Sequence, residues 1–169
     1  LIRTIEAAKK DAQIRGILIT GRDFHGGWGQ AEELRAVLLS FQQKKPVYAY
    51  LENAGNKEYY IASMADRIFM PQSAMLDVSG LKAEAYFVKD LLNKVGVKAD
   101  FIALGDYKSA PDRMTRSEPT KFDREQLEGI LKSGVGEMKA AILAGRLRVK
   151  DVNLDGIMDK GFYSATRAQ

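Results

Sequence analysis

The six residues Gly105-Asp106-Tyr107-Lys108-Ser109-Ala110 carry the best-placed chemistry in the chain. They follow an apolar run, Phe101-Ile102-Ala103-Leu104, which predicts a buried strand over 100–104. They precede Pro111, which disfavours helix at the residue before it. Lys108 is therefore expected just past a strand end, on a loop, where α/β proteins tend to place function. A lysine can serve there as a general base when burial against apolar surface favours its neutral form. Phe101, Leu104 and Tyr107 are the neighbours that could supply such surface. On position alone, a solvated loop lysine is the competing reading. Ser109 is adjacent, but neighbouring residues of an extended segment point to opposite sides. A supporting hydrogen bond suits it better than nucleophilic attack.

Other candidates are sparser. There is one histidine and no cysteine, so a Ser-His-Asp triad would need His25, and thiolate and disulfide chemistry are excluded. His25-Gly26-Gly27-Trp28 lies in a glycine-rich loop, 21–29. The backbone at Gly26 and Gly27 can approach an oxyanion, or simply make a tight turn. Lone His25 has no second ligand near it and reads as a surface loop residue. Trp28 would line a groove or cap a core edge. Asp23, Glu32 and Glu33 lack the spacing of a metal cage and read as solvated charges. Ser63 reads as a helix-packing residue and Ser79 as a turn residue.

These residues need a scaffold. Helix is predicted over 2–13, with Gly16 as its stop, and over 30–43, with Ala31, Leu34, Val37, Leu38 and Phe41 on one face. Further helices are predicted near 57–65, 84–95 and 150–159. The 84–95 helix would turn Tyr86, Phe87, Leu91, Leu92 and Val95 inward. A long helical pattern follows Pro119 through Ala144, with Gly134 and Gly136 marking a place for a break. Short apolar runs predict strands at 17–19, 47–51, 67–70 and 100–104, and residues 71–80 read as a connecting loop. Strands alternate with helices, which implies βαβ units and a largely parallel sheet covered by helices. No repeat or linker divides residues 1–169, so one domain is expected.

Composition narrows the classes. Hydrophobic residues make up 46% and charged residues 28%, ordinary for a globular domain. The net charge is +4, but no basic run is interleaved with aromatics, which argues against a nucleic-acid partner. No apolar run reaches the roughly 20 residues that span a bilayer. We expect these residues to be a piece of a longer protein, with any anchor or targeting signal outside them.

Gly105-Asp-Tyr-Lys-Ser-Ala110 resembles the Gly-x-Tyr-Lys-Ser-Ala segment of the signal peptide peptidase A family, membrane-associated serine peptidases of family S49 with a Ser/Lys dyad. Four further stretches fall in the family's order and spacing. They are Pro46-Val-Tyr-Ala-Tyr50, Tyr59-Tyr-Ile-Ala-Ser-Met-Ala-Asp-Arg-Ile-Phe69, Leu91-Leu-Asn-Lys-Val-Gly-Val97 and Asp159-Lys-Gly-Phe-Tyr163. The likeness spans nearly the whole chain and is closest to the N-terminal half of the long, two-domain form. It implies a ClpP/crotonase-like α/β fold of repeated ββα units, with Lys108 as the general base and Tyr107, Ser109, Gly26 and Gly27 around the site. It also implies an arginine at Arg116 with a structural role.

The resemblance fails at the nucleophile. Where catalytic domains of the family read Ala-Ser-Gly-Gly-Tyr-Tyr, this chain reads Gly55-Asn56-Lys57-Glu58-Tyr59-Tyr60. Asn56 stands in the serine's place and cannot attack a carbonyl. In long members the N-terminal half brings the lysine and the C-terminal half the serine. The resemblance therefore implies a lysine-bearing half with signal peptides as substrates. Its partner would be a C-terminal catalytic domain of the same or a neighbouring chain. It further implies assembly into rings, a place at the membrane facing the periplasm or another extracytoplasmic side, and no cofactor. Two other classes remain. One is a non-catalytic assembly half. The other is a crotonase-fold acyl-CoA enzyme with Gly26 and Gly27 as its oxyanion hole.

Overall fold

A computed structural model describes residues 1–21, 23–102, 104–146 and 153–168. The elements run α1 (Ile2–Lys10), β1 (Ile17–Gly21), α2 (Trp28–Gln42), β2 (Val47–Leu51), α3 (Asn56–Ala62), β3 (Arg67–Phe69) and β4 (Met75–Asp77). They continue with α4 (Lys89–Lys94), α5 (Asp112–Thr115), α6 (Lys121–Gly145), α7 (Leu154–Lys160) and β5 (Phe162–Ser164), before a 3-10 turn at Ala165–Arg167. The chain divides into two compact units, one of residues 1–80 and 137–169, the other of residues 81–136.

The first unit is built on a parallel sheet of order β1-β2-β3. Ile17 stands level with Val47 and Gly21 with Leu51, while Tyr48 and Tyr50 stand level with Arg67 and Phe69. α2 and α3 make the crossovers, as the alternation of patterns requires. In β2, buried Val47, Ala49 and Leu51 alternate with exposed Tyr48 and Tyr50, so the period of two is read directly from Val-Tyr-Ala-Tyr-Leu. The buried positions meet Leu38 and Phe41 of α2 and Ile61 and Ala62 of α3 in one apolar core, which Met138, Ile142 and Met158 join.

Within this unit, several expectations give way to local competition. α1 stops at Lys10 instead of running to 13. Asp11 takes an extended conformation and its carboxylate accepts from the Gln13 N–H at 2.8 Å. That local turn competes with the helical ladder. The stretch 71–80 is not only loop. It contains β4, paired antiparallel with β5 through Leu76 and Tyr163. α7 begins at Leu154, where Asn153 accepts from the Gly156 N–H at 3.0 Å as an N-cap; residues 150–152 of the predicted helix lie outside the described residues. α6, whose residues 121–136 belong to the second unit, runs from Lys121 to Gly145 through Gly134 and Gly136 without the expected break.

Residues 81–136 depart further from expectation. The helix predicted over 84–95 is confined to α4. The Val88 N–H donates to Arg113 O at 2.8 Å instead of continuing a helix toward residue 84. Tyr86, Leu91 and Val95 are exposed, not inward. The strand predicted over 100–104 is absent at residues 100–102 and at Leu104, Ala103 lying outside the described residues. No strand occurs among the described residues of this unit, so the apolar run has no edge to pair with. Phe101, Ile102 and Leu104 are exposed. Here the ion pair of half-buried Arg113 with buried Asp123, at 3.2 Å, and the Arg113 guanidinium 4.9 Å from the centre of the Phe87 ring tie the segments together.

Candidate functional site

Lys108 lies on a turn. Gly105, at φ +94°, occupies the left-handed region that favours glycine, and its carbonyl accepts from the Lys108 N–H at 3.2 Å. Ser109 O then accepts from the Asp112 N–H at 3.0 Å, and α5 starts directly after Pro111. Tyr107 anchors the turn. Its hydroxyl donates to Glu125 Oε2 at 3.2 Å and its ring meets Phe122 edge-on with centroids 5.1 Å apart. The hydrogen bond to Glu125 holds the Tyr107 phenol above its usual pKa, with small additions from desolvation and nearby carboxylates. The Lys108 side chain itself is exposed, and Ser109 is half-buried. Phe101 and Leu104, named as its apolar cover, are exposed as well. Arg116 pairs with Asp112 one turn away at 3.2 Å.

The position at which the resemblance leads one to expect a serine falls in the first turn of α3. Gly55 caps this helix, and each of the next three residues reaches a neighbouring loop. Asn56 Nδ2 donates to Gly80 O at 2.6 Å while Asn56 Oδ1 accepts from the Gly80 N–H at 3.2 Å. Lys57 Nζ donates to Gly26 O at 2.8 Å. Glu58 accepts from the Phe24 N–H at 2.5 Å with one oxygen and from the Gly55 N–H at 3.1 Å with the other. The first turn of α3 is a clasp, with all three side chains committed to main-chain groups.

The glycine loop is held from both sides. The Gly27 N–H donates to Gln30 Oε1 at 2.9 Å and Gly27 caps α2. A Cβ on Gly26 would stand 2.5 Å from the Phe24 ring, so any other residue there requires that ring to shift. His25 is exposed, and Trp28 meets Tyr60 edge-on at 5.7 Å. No cluster of three or more potential metal ligands occurs among the described residues.

One buried polar centre escaped sequence reasoning. Arg35 is 5% exposed. It donates to Tyr60 O at 2.5 Å, Ser63 Oγ at 2.8 Å and Ala141 O at 2.6 Å, with its guanidinium 5.1 Å from the Tyr60 ring centre. Burial pulls the Arg35 pKa below the usual arginine value and pushes the Tyr60 phenol up. The available signal was position: Arg35 falls between Ala31 and Leu38 on the apolar face of α2. Ser63, read as a packing residue, is fully buried here and donates to Tyr60 O at 2.9 Å.

The chain is 32% identical over 125 residues to the chloroplastic serine protease SPPA of Arabidopsis thaliana, covering 73% of this chain and 18% of that protein. It is 30% identical over 120 residues to protease 4 of Haemophilus influenzae, covering 70% of this chain and 20% of the relative. The figures for protease 4 of Salmonella typhi are 30% over 127 residues, 74% and 21%. The chain thus spans about a fifth of the length of the curated relatives it matches. A family model described as peptidase family S49 matches residues 40–169, which include both the α3 clasp and the Lys108 turn but not Gly26 and Gly27. With its mixed α/β architecture consistent with a ClpP-like fold, this chain belongs to peptidase family S49.

Proposed function

We propose that this chain is the lysine-bearing half of a serine endopeptidase. Lys108 is the general base of a Ser/Lys dyad whose serine comes from a C-terminal domain of the same or a neighbouring chain. The observation that carries this reading is the clasp at α3: the serine's position holds Asn56, bound on both sides to Gly80, while the Gly-Asp-Tyr-Lys-Ser-Ala turn is intact. In the reaction a neutral lysine takes the serine's proton as the hydroxyl attacks a peptide carbonyl, and backbone N–H groups hold the oxyanion. Burial is what favours a neutral lysine. Exposed Phe101, Leu104 and Lys108 are apolar and basic surfaces on which a second domain could close.

The substrates we assign are cleaved signal peptides at the membrane, in an oligomer facing the extracytoplasmic side. No helix among the described residues is long and apolar enough to cross a membrane. The crotonase-type reading is less well supported, because the Gly27 N–H already donates to Gln30.

The test is reconstitution. The chain alone is expected not to cleave peptides. Mixed with a separately expressed serine-bearing C-terminal half, wild type is expected to restore cleavage and Lys108→Ala to abolish it. Activity indifferent to Lys108→Ala would make this half an assembly domain instead.

A further inference from the structure

We infer that Glu125 is a positioning residue for Lys108, acting through Tyr107. The inference rests on the peptidase reading of Lys108, and every group it uses lies within residues 81–136. The Lys108 side chain makes no hydrogen bond, ion pair or ring contact among the described residues. Its direction is therefore set by the main chain of its turn. Gly105 at φ +94° opens that turn, and the Lys108 N–H donates to Gly105 O at 3.2 Å. A single bond of this kind in an exposed loop opens readily. The turn has to be held from outside.

α6 supplies that hold. Just before Lys108, the Tyr107 hydroxyl donates to Glu125 Oε2 at 3.2 Å, and the Tyr107 ring meets Phe122 with centroids 5.1 Å apart. After it, α5 is fastened by Arg113 Nη2, which donates to Asp123 Oδ1 at 3.2 Å. Phe122, Asp123 and Glu125 all belong to the first turns of α6, so the segment carrying Lys108 is tied to one helix on both sides. The two ties differ. Asp123 is 2% exposed, and its tie is structural. Glu125 and Tyr107 are exposed, and a contact between exposed polar groups adds little to folding. What it fixes is the residue next to the base. Misplacing a catalytic group by about 1 Å can cost on the order of a hundredfold in rate. Glu125 therefore matters to the reaction out of proportion to its part in stability.

The test uses the peptidase reconstituted with its serine-bearing half. Glu125→Ala and Tyr107→Phe are each expected to lower kcat about tenfold with KM unchanged, and the double variant to fall no further than either alone. Glu125→Gln, whose amide oxygen still accepts from the Tyr107 hydroxyl, is expected to recover most of the loss. Glu128→Ala removes the same charge further along α6 and is expected to keep full activity. Trypsin gives a readout on the same preparation that needs no activity, since it cuts the Lys108–Ser109 bond only when the turn opens. Cleavage there is expected to be about tenfold faster in Glu125→Ala than in wild type, and close to wild type in Glu125→Gln. Full kcat in Glu125→Ala, a glutamine variant no better than alanine, a change in KM alone or an unaltered trypsin rate would overturn the inference while leaving the peptidase reading intact. Activity indifferent to Lys108→Ala would instead sink that reading, and the positioning role with it.

Discussion

Asn56 holds Gly80 by both of its main-chain polar groups, donating to the carbonyl at 2.6 Å and accepting from the N–H at 3.2 Å. Gly80 sits at φ +87°, a conformation that favours glycine. The Asn56 side chain is thus fully engaged in holding a loop. Asn56→Ala leaves both Gly80 groups unpaired and is expected to lower stability by about 1–3 kcal/mol in urea denaturation. Asn56→Ser, too short to reach both groups, is expected to destabilise similarly and to give no peptidase activity in this chain alone. Hydrolysis by the serine variant alone would overturn the proposal that the serine comes from another domain.

Arg35 is expected to be among the most sensitive positions. Its removal takes one donor each from the Tyr60 and Ala141 carbonyls and the Ser63 hydroxyl, leaving only the Ser63–Tyr60 bond around an emptied site. Arg35→Met is expected to cost about 3 kcal/mol or more, and Arg35→Lys less, because a lysine still supplies charge and some donors. Equal midpoints for wild type and Arg35→Met would show that the centre adds nothing to stability.

Lys108→Ala should leave folding untouched. An exposed side chain outside a packed core changes stability by about 0.5 kcal/mol or less. Thermal melting of the two proteins is therefore expected to coincide. A large drop would mean that any loss of activity in Lys108→Ala reports damage and not chemistry.

Two tyrosines should ionise late. Burial raises the Tyr60 pKa, and the hydrogen bond to Glu125 raises that of Tyr107. Each folded value lies above the unfolded value of about 10. The stability they contribute is therefore fully present below about pH 10 and lost as pH rises through the folded values. In an absorbance titration, Tyr60→Phe should remove a late-ionising component, and Glu125→Gln should bring Tyr107 earlier. Unchanged titration curves in both variants would contradict these assignments.

Legibility followed the reach of the forces involved. Val47-Tyr-Ala-Tyr-Leu51 was readable to the residue because a half-covered strand prints its period of two on the chain. α2 was readable from Ala31, Leu38 and Phe41 for the same kind of reason. Phe101-Ile-Ala-Leu104 misled because an apolar run announces burial only where something lies opposite, and no strand among the described residues of 81–136 does so. β4 escaped because its pairing partner, β5, is far along the chain and three residues show no period. The Lys108 turn was legible as a motif, while the clasp of Asn56, Lys57 and Glu58 was legible only as a departure from one. What those side chains grip is a tertiary fact that no local pattern carries.

Residues 81–136 interrupt a unit made of residues 1–80 and 137–169. Met75 of β4 meets Ser164 of β5, a pairing between residues about ninety positions apart, so contact order is high there. During synthesis, the first eighty residues therefore leave the ribosome without the strand and the helix residues Met138, Ile142 and Met158 that complete their core. Until residues 138–164 emerge, that half-built core is an exposed apolar surface, and it is there that a chaperone would find its hold.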